Sequence, residues 1–280
     1  MTSSVALKPV APAAPRQRPS RVRRRFALHR LLGPATILAV FGLWEISSRS
    51  GLLPQAAIPP ASQVLAAFGA QLVEPHFWLS VWGTLSVALL GLLIIAAIAT
   101  PLALLIGASR EVQESTWFPI EFLKPIPPVA LIPLGLLLWG PTPGMKLFLV
   151  VFGAIWPLLT QLVYGFKEID GVARDMARSY RLGKWLTITR VIIPSILPFG
   201  ATGLRVSASI AVVIAVVAEM IGGVAGLGQD IVVAQSANAM PQMYALIFAA
   251  GLLGLLVNAA FRAAEKPLLF WHPSQRKDLP

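Results

Sequence analysis

Six apolar runs, at 31–46, 85–106, 117–139, 145–166, 197–220 and 245–261, divide this chain of 280 residues. With its flanks, each reaches about the 20 residues a helix needs to cross the hydrocarbon core of a bilayer. In lipid every backbone N–H and C=O must find a partner within the protein, so runs of this length admit a bundle of helices and little else. The expected fold is all-α, a membrane bundle of six transmembrane helices. Charge content agrees: 12% of residues are charged and mean hydropathy is +0.73, whereas a soluble domain carries about twice that charge fraction.

The placement of the charges predicts which way the bundle faces. Eight Lys and Arg precede residue 31, and 19 of the 23 fall in segments that six alternating spans would put on one side. Positive charge of that asymmetry marks the cytoplasmic face, so both termini are expected inside. The formal net charge of +11 is then a topological signal and an attraction to anionic lipid rather than a nucleic-acid footprint. Residues 1–28 carry Pro9, Pro12, Pro15 and Pro19 with no apolar periodicity and are expected as a disordered basic arm. The pair Arg23 and Arg24 before Phe26 faintly matches an export signal, a reading set aside because five more spans follow without a small-residue cleavage site. The membrane domain is expected over 29–273 and a short tail over 274–280.

Several kinds of chemistry are missing from the sequence. It has no cysteine, and its three histidines, His29, His76 and His272, stand far apart without carboxylates at ligand spacing, so no metal centre or cofactor is expected. No phosphate-cradling G-x-x-x-x-G-K-[S/T] element occurs. Glu45, Glu121 and Glu219 sit at span ends and read as interfacial anchors, not as the paired intramembrane carboxylates of an ion-coupled carrier. A membrane-embedded enzyme would need reactive side chains within spans. Any work this chain does on a solute must therefore be driven from outside it, through a cytoplasmic contact.

The segment 166–196 is the largest cytoplasmic candidate for that contact. Asp170 can cap a helix in which Val172, Met176 and Tyr180, flanked by Ala173 and Ala177, form one apolar stripe. Arg174, Arg178 and Arg181 lie on another face, and Gly183 is placed to stop the helix. A second short helix with Trp185, Ile188 and Ile192 is expected to end at Pro194. Periodicity fits two structures equally: an amphipathic helix lying on lipid headgroups, or an apolar ridge made for a groove in a partner.

Two other stretches stand out. Between the first and second spans, Ser62 is placed to cap a short outer helix whose stripe is Val64, Leu65, Phe68 and Leu72. The third span is interrupted by Pro119, Pro125, Pro127, Pro128 and Pro133, with Glu121 and Lys124 three apart. Irregular backbone at membrane depth needs protein or a watery cavity to satisfy it. The span is thus either part of a solute pathway or a proline-kinked packing helix.

The 166–196 segment resembles the cytoplasmic loop of permease subunits of ATP-binding-cassette importers. Their Glu-Ala-Ala triplet corresponds to Asp175, Met176 and Ala177, their following Gly to Arg181, and their Ile-x-Leu-Pro to Val191, Ile193 and Pro194. Asp replaces Glu on a shorter stem, Arg181 replaces Gly, and the nearest glycine, Gly183, comes two residues later. Similarity to the nitrate/sulfonate/taurine branch extends over roughly 35–273. It runs through Ile58-Pro59-Pro60, the stretch from Glu121 to Leu134, Ala177-Arg178-Ser179-Tyr180, Gly203-Leu204-Arg205, Ala218-Glu219-Met220-Ile221 and Gly226-Leu227-Gly228.

The resemblance implies the type I ABC importer permease fold in a bacterial inner membrane. It also implies a homodimer of identical permease subunits, two cytoplasmic ATPase subunits, an extracytoplasmic solute-binding protein, and surrounding membrane lipids. Its solute would be a sulfonate, nitrate or taurine-type anion. The 166–196 loop would then carry the coupling helix, with Val172, Met176, Ala177 and Tyr180 as the knob in an ATPase groove and Asp175 and the arginines fixing its orientation. For the translocation pathway the third and fifth spans are the expected lining, with Arg205, Ser207, Ser209 and Glu219 as candidates. A cation such as Arg205 near the conduit suits an oxyanion, although it also suits a lipid phosphate.

Overall fold

The computed structural model describes residues 21–54 and 56–269, so most of the expected arm (1–20) and the tail (274–280) lie outside the described residues. Helix α1 (Arg21–Arg49) starts within the stretch expected as arm. It is followed by α2 (Ala61–Gln71), α3 (Pro75–Ala108), α4 (Arg110–Leu123), a 3-10 turn (Pro128–Leu131) and α5 (Ile132–Trp139). Next come α6 (Pro143–Lys167), α7 (Gly171–Ser179), α8 (Lys184–Thr187), a π turn (Ile188–Ile192), α9 (Ile193–Gly222), α10 (Leu227–Ser236) and α11 (Met240–Leu268). No strand occurs among the described residues.

Four helical stretches are long and apolar enough to cross a membrane: α3, α6, α8 through α9, and α11; α4 with α5 makes a fifth if the bent pair counts as one span. The first expected run lies on α1, 29 residues long, which is not among these. Helix α6 is the centre of the bundle. It packs along α9 and α3, while α11 closes over α9, α10 and α2. Small residues allow the closest approach: a Cβ on Gly203 of α9 would stand 3.0 Å from the Leu158 Cα of α6, so this pair of backbones meets without side chains between them. The core that results is aliphatic, built from residues such as Ile95, Leu149, Leu159, Val212 and Leu227.

Three expected boundaries shift, each for a local reason. The third span does not begin near Trp117; α4 already starts at Arg110, where the Ser109 hydroxyl accepts from Val112 N–H as an N-cap. Pro119 sits within α4 without ending it, and the break comes at 124–127, bending the pair by 80°. Ser62 does not cap α2. It is the second residue of the helix, and Glu45 of α1 takes the capping part, accepting from Ser62 N–H at 3.0 Å and from its hydroxyl at 2.9 Å. Arg49 of α1 pairs with the same carboxylate. Pro194 does not end the helix at 184–192 either: α8, the π turn and α9 run on as one stretch of 39 residues. Proline lacks an N–H and its ring clashes with the carbonyl four residues back, and the wider π turn just ahead of Pro194 makes the room.

Candidate functional site

The loop between α6 and α9 folds as a small protruding helix. Asp170 starts α7 by accepting Val172 N–H on its side chain at 2.9 Å. Val172, Met176 and Tyr180 are 66%, 53% and 74% exposed, one apolar ridge with none of the other described residues covering it. Asp175, Arg178 and Arg181 are exposed beside it, and Arg174 belongs to the same helix, its side chain lying outside the described part. Ala177, expected in the same apolar stripe, differs in exposure. It is 3% exposed and lies on the inward side of α7.

The end of α7 also differs from expectation. Gly183 does not stop the helix; with φ −59° and ψ 153° it opens α8. The stop is Arg181, at φ 49°. Arg181 N–H donates to the Arg178 carbonyl at 2.9 Å and Leu182 N–H to the Ala177 carbonyl at 3.0 Å, the pair of bonds that closes a helix through a left-handed residue. An arginine thus occupies the turn position where glycine is easiest, and the turn keeps its shape.

A second cluster lies deep in the bundle. Lys146 of α6 and Glu219 of α9 are 1% and 0% exposed and pair at 2.7 Å. Lys146 Nζ also donates to the Gly83 carbonyl at 2.9 Å and the Ala225 carbonyl at 3.3 Å. The second Glu219 oxygen accepts from Thr84 Oγ1 and from Gly228 N–H, both at 2.9 Å, and Thr84 Oγ1 accepts from Leu227 N–H at 3.1 Å. Every proton of the ammonium and both carboxylate oxygens are therefore used, which is what a buried ion pair requires to persist. The node ties α3, α6 and α9 to the turn before α10. Gly226 offers no side chain to cap α10, so Thr84 and Glu219 supply the acceptors from other helices.

The two flanking glycines are there for space. A Cβ on Gly226, whose φ is 152°, would fall on the Glu219 carboxylate, and one on Gly228 would fall against the Val216 carbonyl oxygen, both far inside contact distance. Farther out, His76 of α3 meets Asp230 of α10 at 3.2 Å, a second tie between α10 and the bundle.

The four expected pathway residues lie in helix contacts rather than on an open wall. Glu219 is held in the node. Ser207 is 0% exposed, packed inside the bundle, and its hydroxyl has no partner among the described residues. Ser209 Oγ accepts from Asn258 Nδ2 of α11 at 3.1 Å. Arg205 pairs with Glu265 of α11 at 3.4 Å. Lys146 is the functional-looking residue that spacing rules pass over. The available signal was a lone cation inside one apolar run and a lone anion at the end of another, since such charges in a membrane seek each other.

The model of the family described as "Binding-protein-dependent transport system inner membrane component" matches residues 34–266, most of the chain. The chain belongs to that family. It is a multi-pass inner-membrane permease of the ABC transporter type, and ATP hydrolysis belongs to separate ATPase subunits. A putative ABC transporter permease of Methanocaldococcus jannaschii is 34% identical over 182 residues, 65% of this chain and 68% of that one. A putative aliphatic sulfonates transport permease of Bacillus subtilis is 26% identical over 261 residues, 93% of each chain. The permease also shares its fold with a chain of the methionine ABC transporter MetNI in an inward-facing conformation. There the TM-score is 0.61 at 16% identity, covering 68% of this chain and 95% of that one. Family membership brings ATPase and binding-protein partners with it.

Proposed function

We propose that α7 is the coupling helix of this permease, seated in a groove of an ATPase subunit, and that the chain works as a homodimer carrying two such subunits. The observation that carries this reading is the ridge of Val172, Met176 and Tyr180, exposed on a helix capped at Asp170 and joined through Arg181 to a continuous stretch of 39 residues. A rigid stretch of that length transmits a push at its cytoplasmic end to the rest of the bundle. Asp175, Arg178 and Arg181 orient the contact by charge, and Arg174 adds to the same basic helix. Closure of the ATPase pair around nucleotide draws the two α7 helices together, and α9 carries that displacement to the gate.

In this reading six spans cross the bilayer: α1, α3, α4 with α5, α6, α8 through α9, and α11. The basic segments, including α7, face the cytoplasm with both termini, and lipid surrounds the outer faces. The extracytoplasmic binding protein delivers a small anion of the sulfonate, nitrate or taurine kind, a class supported by the sulfonate permease that is similar over 93% of the chain.

The test is co-purification with the cognate ATPase subunits. Asp175→Arg combined with Met176→Arg changes two exposed side chains. The permease should accumulate in the membrane as before, lose its ATPase subunits on purification and transport nothing. ATPase subunits retained, with transport intact, would show that α7 is not the docking element.

A further inference from the structure

One face of α6 lines two cavities in succession, and neither contains the pathway candidates read from sequence. The outer cavity, about 560 Å3, is walled by Ile94, Leu123, Trp139, Phe148, Phe152 and Trp156 among others. Its rings form a ladder: Trp139 stacks on Phe148 with centroids 5.0 Å apart, Phe148 meets Phe152 at 6.4 Å, and Phe152 meets Trp156 at 6.0 Å. The inner cavity, about 140 Å3, has Gln113, Glu121, Lys124, Thr160, Tyr164 and Lys167 in its wall. Leu123 belongs to the outer wall and Lys124 to the inner one, so the two cavities meet at the break between α4 and α5.

We infer that this groove is the chain's share of the solute path and that it takes an organic anion with an apolar or aromatic body, not a small inorganic oxyanion. The inference rests on the permease reading above and names the solute class for it. Three observations set the groove apart from a lipid-facing surface. Pro125 and Pro128 have no N–H, so the carbonyls of Glu121 and Lys124 lose their helical donors in the middle of a span, and such backbone is stable only against protein or water. Ionisable side chains stand at the same level, Lys124 paired with Glu121 at 2.9 Å and Lys167 over the Tyr164 ring at 5.8 Å. The Trp156 indole N–H, beside the outer cavity, is buried without a partner among the described residues.

Chemistry then selects the solute. Two ammoniums and one carboxylate leave the inner cavity with one positive charge in excess, suited to a single anionic group. The outer cavity is an open groove walled by aromatic carbon. A small inorganic ion such as nitrate has no apolar body to bury against those walls and still gives up water to enter, whereas a ring or an alkyl body gains burial and stacking.

Because the chain has no cysteine, single-cysteine variants of the full chain in nanodiscs test this without ATPase subunits. Phe152→Cys reports the outer cavity, Thr160→Cys the inner one, and Leu255→Cys an exposed apolar position on α11 as control. With a charged, membrane-impermeant maleimide the two groove cysteines should react faster than the control by an order of magnitude or so, because a thiol among acyl chains does not ionise. The probe 1-naphthalenesulfonate, at about ten times its Kd, should slow both groove reactions about tenfold, while nitrate leaves them unchanged. Lys124→Met should abolish the protection by the sulfonate.

Three results would overturn the inference: labelling by lipid-soluble reagent alone, which makes the groove a bilayer face; equal protection by nitrate; or protection by neither. Failure of the coupling-helix reading would appear instead in co-purification with the ATPase subunits, which take no part in these measurements.

Discussion

Replacing Lys146 with methionine removes the ammonium that Glu219 holds at 2.7 Å while leaving a side chain of similar length in the same slot. The carboxylate keeps Thr84 and Gly228 as donors, but its charge is then buried without a counterion, and the carbonyls of Gly83 and Ala225 lose their shared donor. Breaking a buried pair from one side costs about 3–5 kcal/mol. Glu219→Leu in the Lys146 background leaves the converse orphan and should cost about as much. The double variant, Lys146→Met with Glu219→Leu, removes both charges together. It should cost less than the sum of the single changes by roughly 3 kcal/mol or more, because replacing a whole buried pair with apolar groups is often near neutral. The residual loss comes from the Gly228 amide, left without its acceptor, and from the Gly83 and Ala225 carbonyls, left without their donor, while the Thr84 hydroxyl keeps the Ser80 carbonyl as an acceptor at 3.1 Å. Reversible unfolding of the purified permease in mixed micelles, followed by tryptophan fluorescence across a denaturant series, measures all three. Single variants within about 1 kcal/mol of the parent, or strict additivity in the cycle, would refute the reasoning that the node is a desolvated ion pair holding α10 to the bundle.

Two further changes test local geometry. Arg181→Gly should stabilise the α7 turn by about 1 kcal/mol, since a side chain in the left-handed region costs on that order and the two closing hydrogen bonds involve only backbone; slower amide exchange at Leu182 would register it, and faster exchange would contradict it. Gly228→Ala drives a methyl against the Val216 carbonyl and the Glu219 side chain, so α10 must shift away from α9 at a cost of about 3 kcal/mol; a variant as stable as the parent in the same unfolding assay would mean that α10 has room the close packing denies.

The residues of α7 were legible because their effects are local. Asp170 caps the helix through its own second neighbour, and an apolar residue every fourth position makes a ridge wherever the helix sits. Arg181 was harder to read. Its side chain type argues against a left-handed turn, and only the closing bonds to Ala177 and Arg178 decide that the turn forms there. The capping of α2 escaped for a different reason: Glu45 is seventeen residues upstream of Ser62, and nothing in the spacing brings α1 against α2.

Hydrophobic run length and the placement of basic residues determined from sequence that this is a helical membrane protein, because the bilayer imposes both rules on a chain one segment at a time. Motif wording further pointed to the permease family. Which charges meet, which serines are buried and which wall is open were decided by the packing of α3, α6 and α9. Lys146 and Glu219 lie 73 positions apart. Their pairing follows from how three helices are rotated about their axes, a property of side-chain packing between segments that no single segment contains.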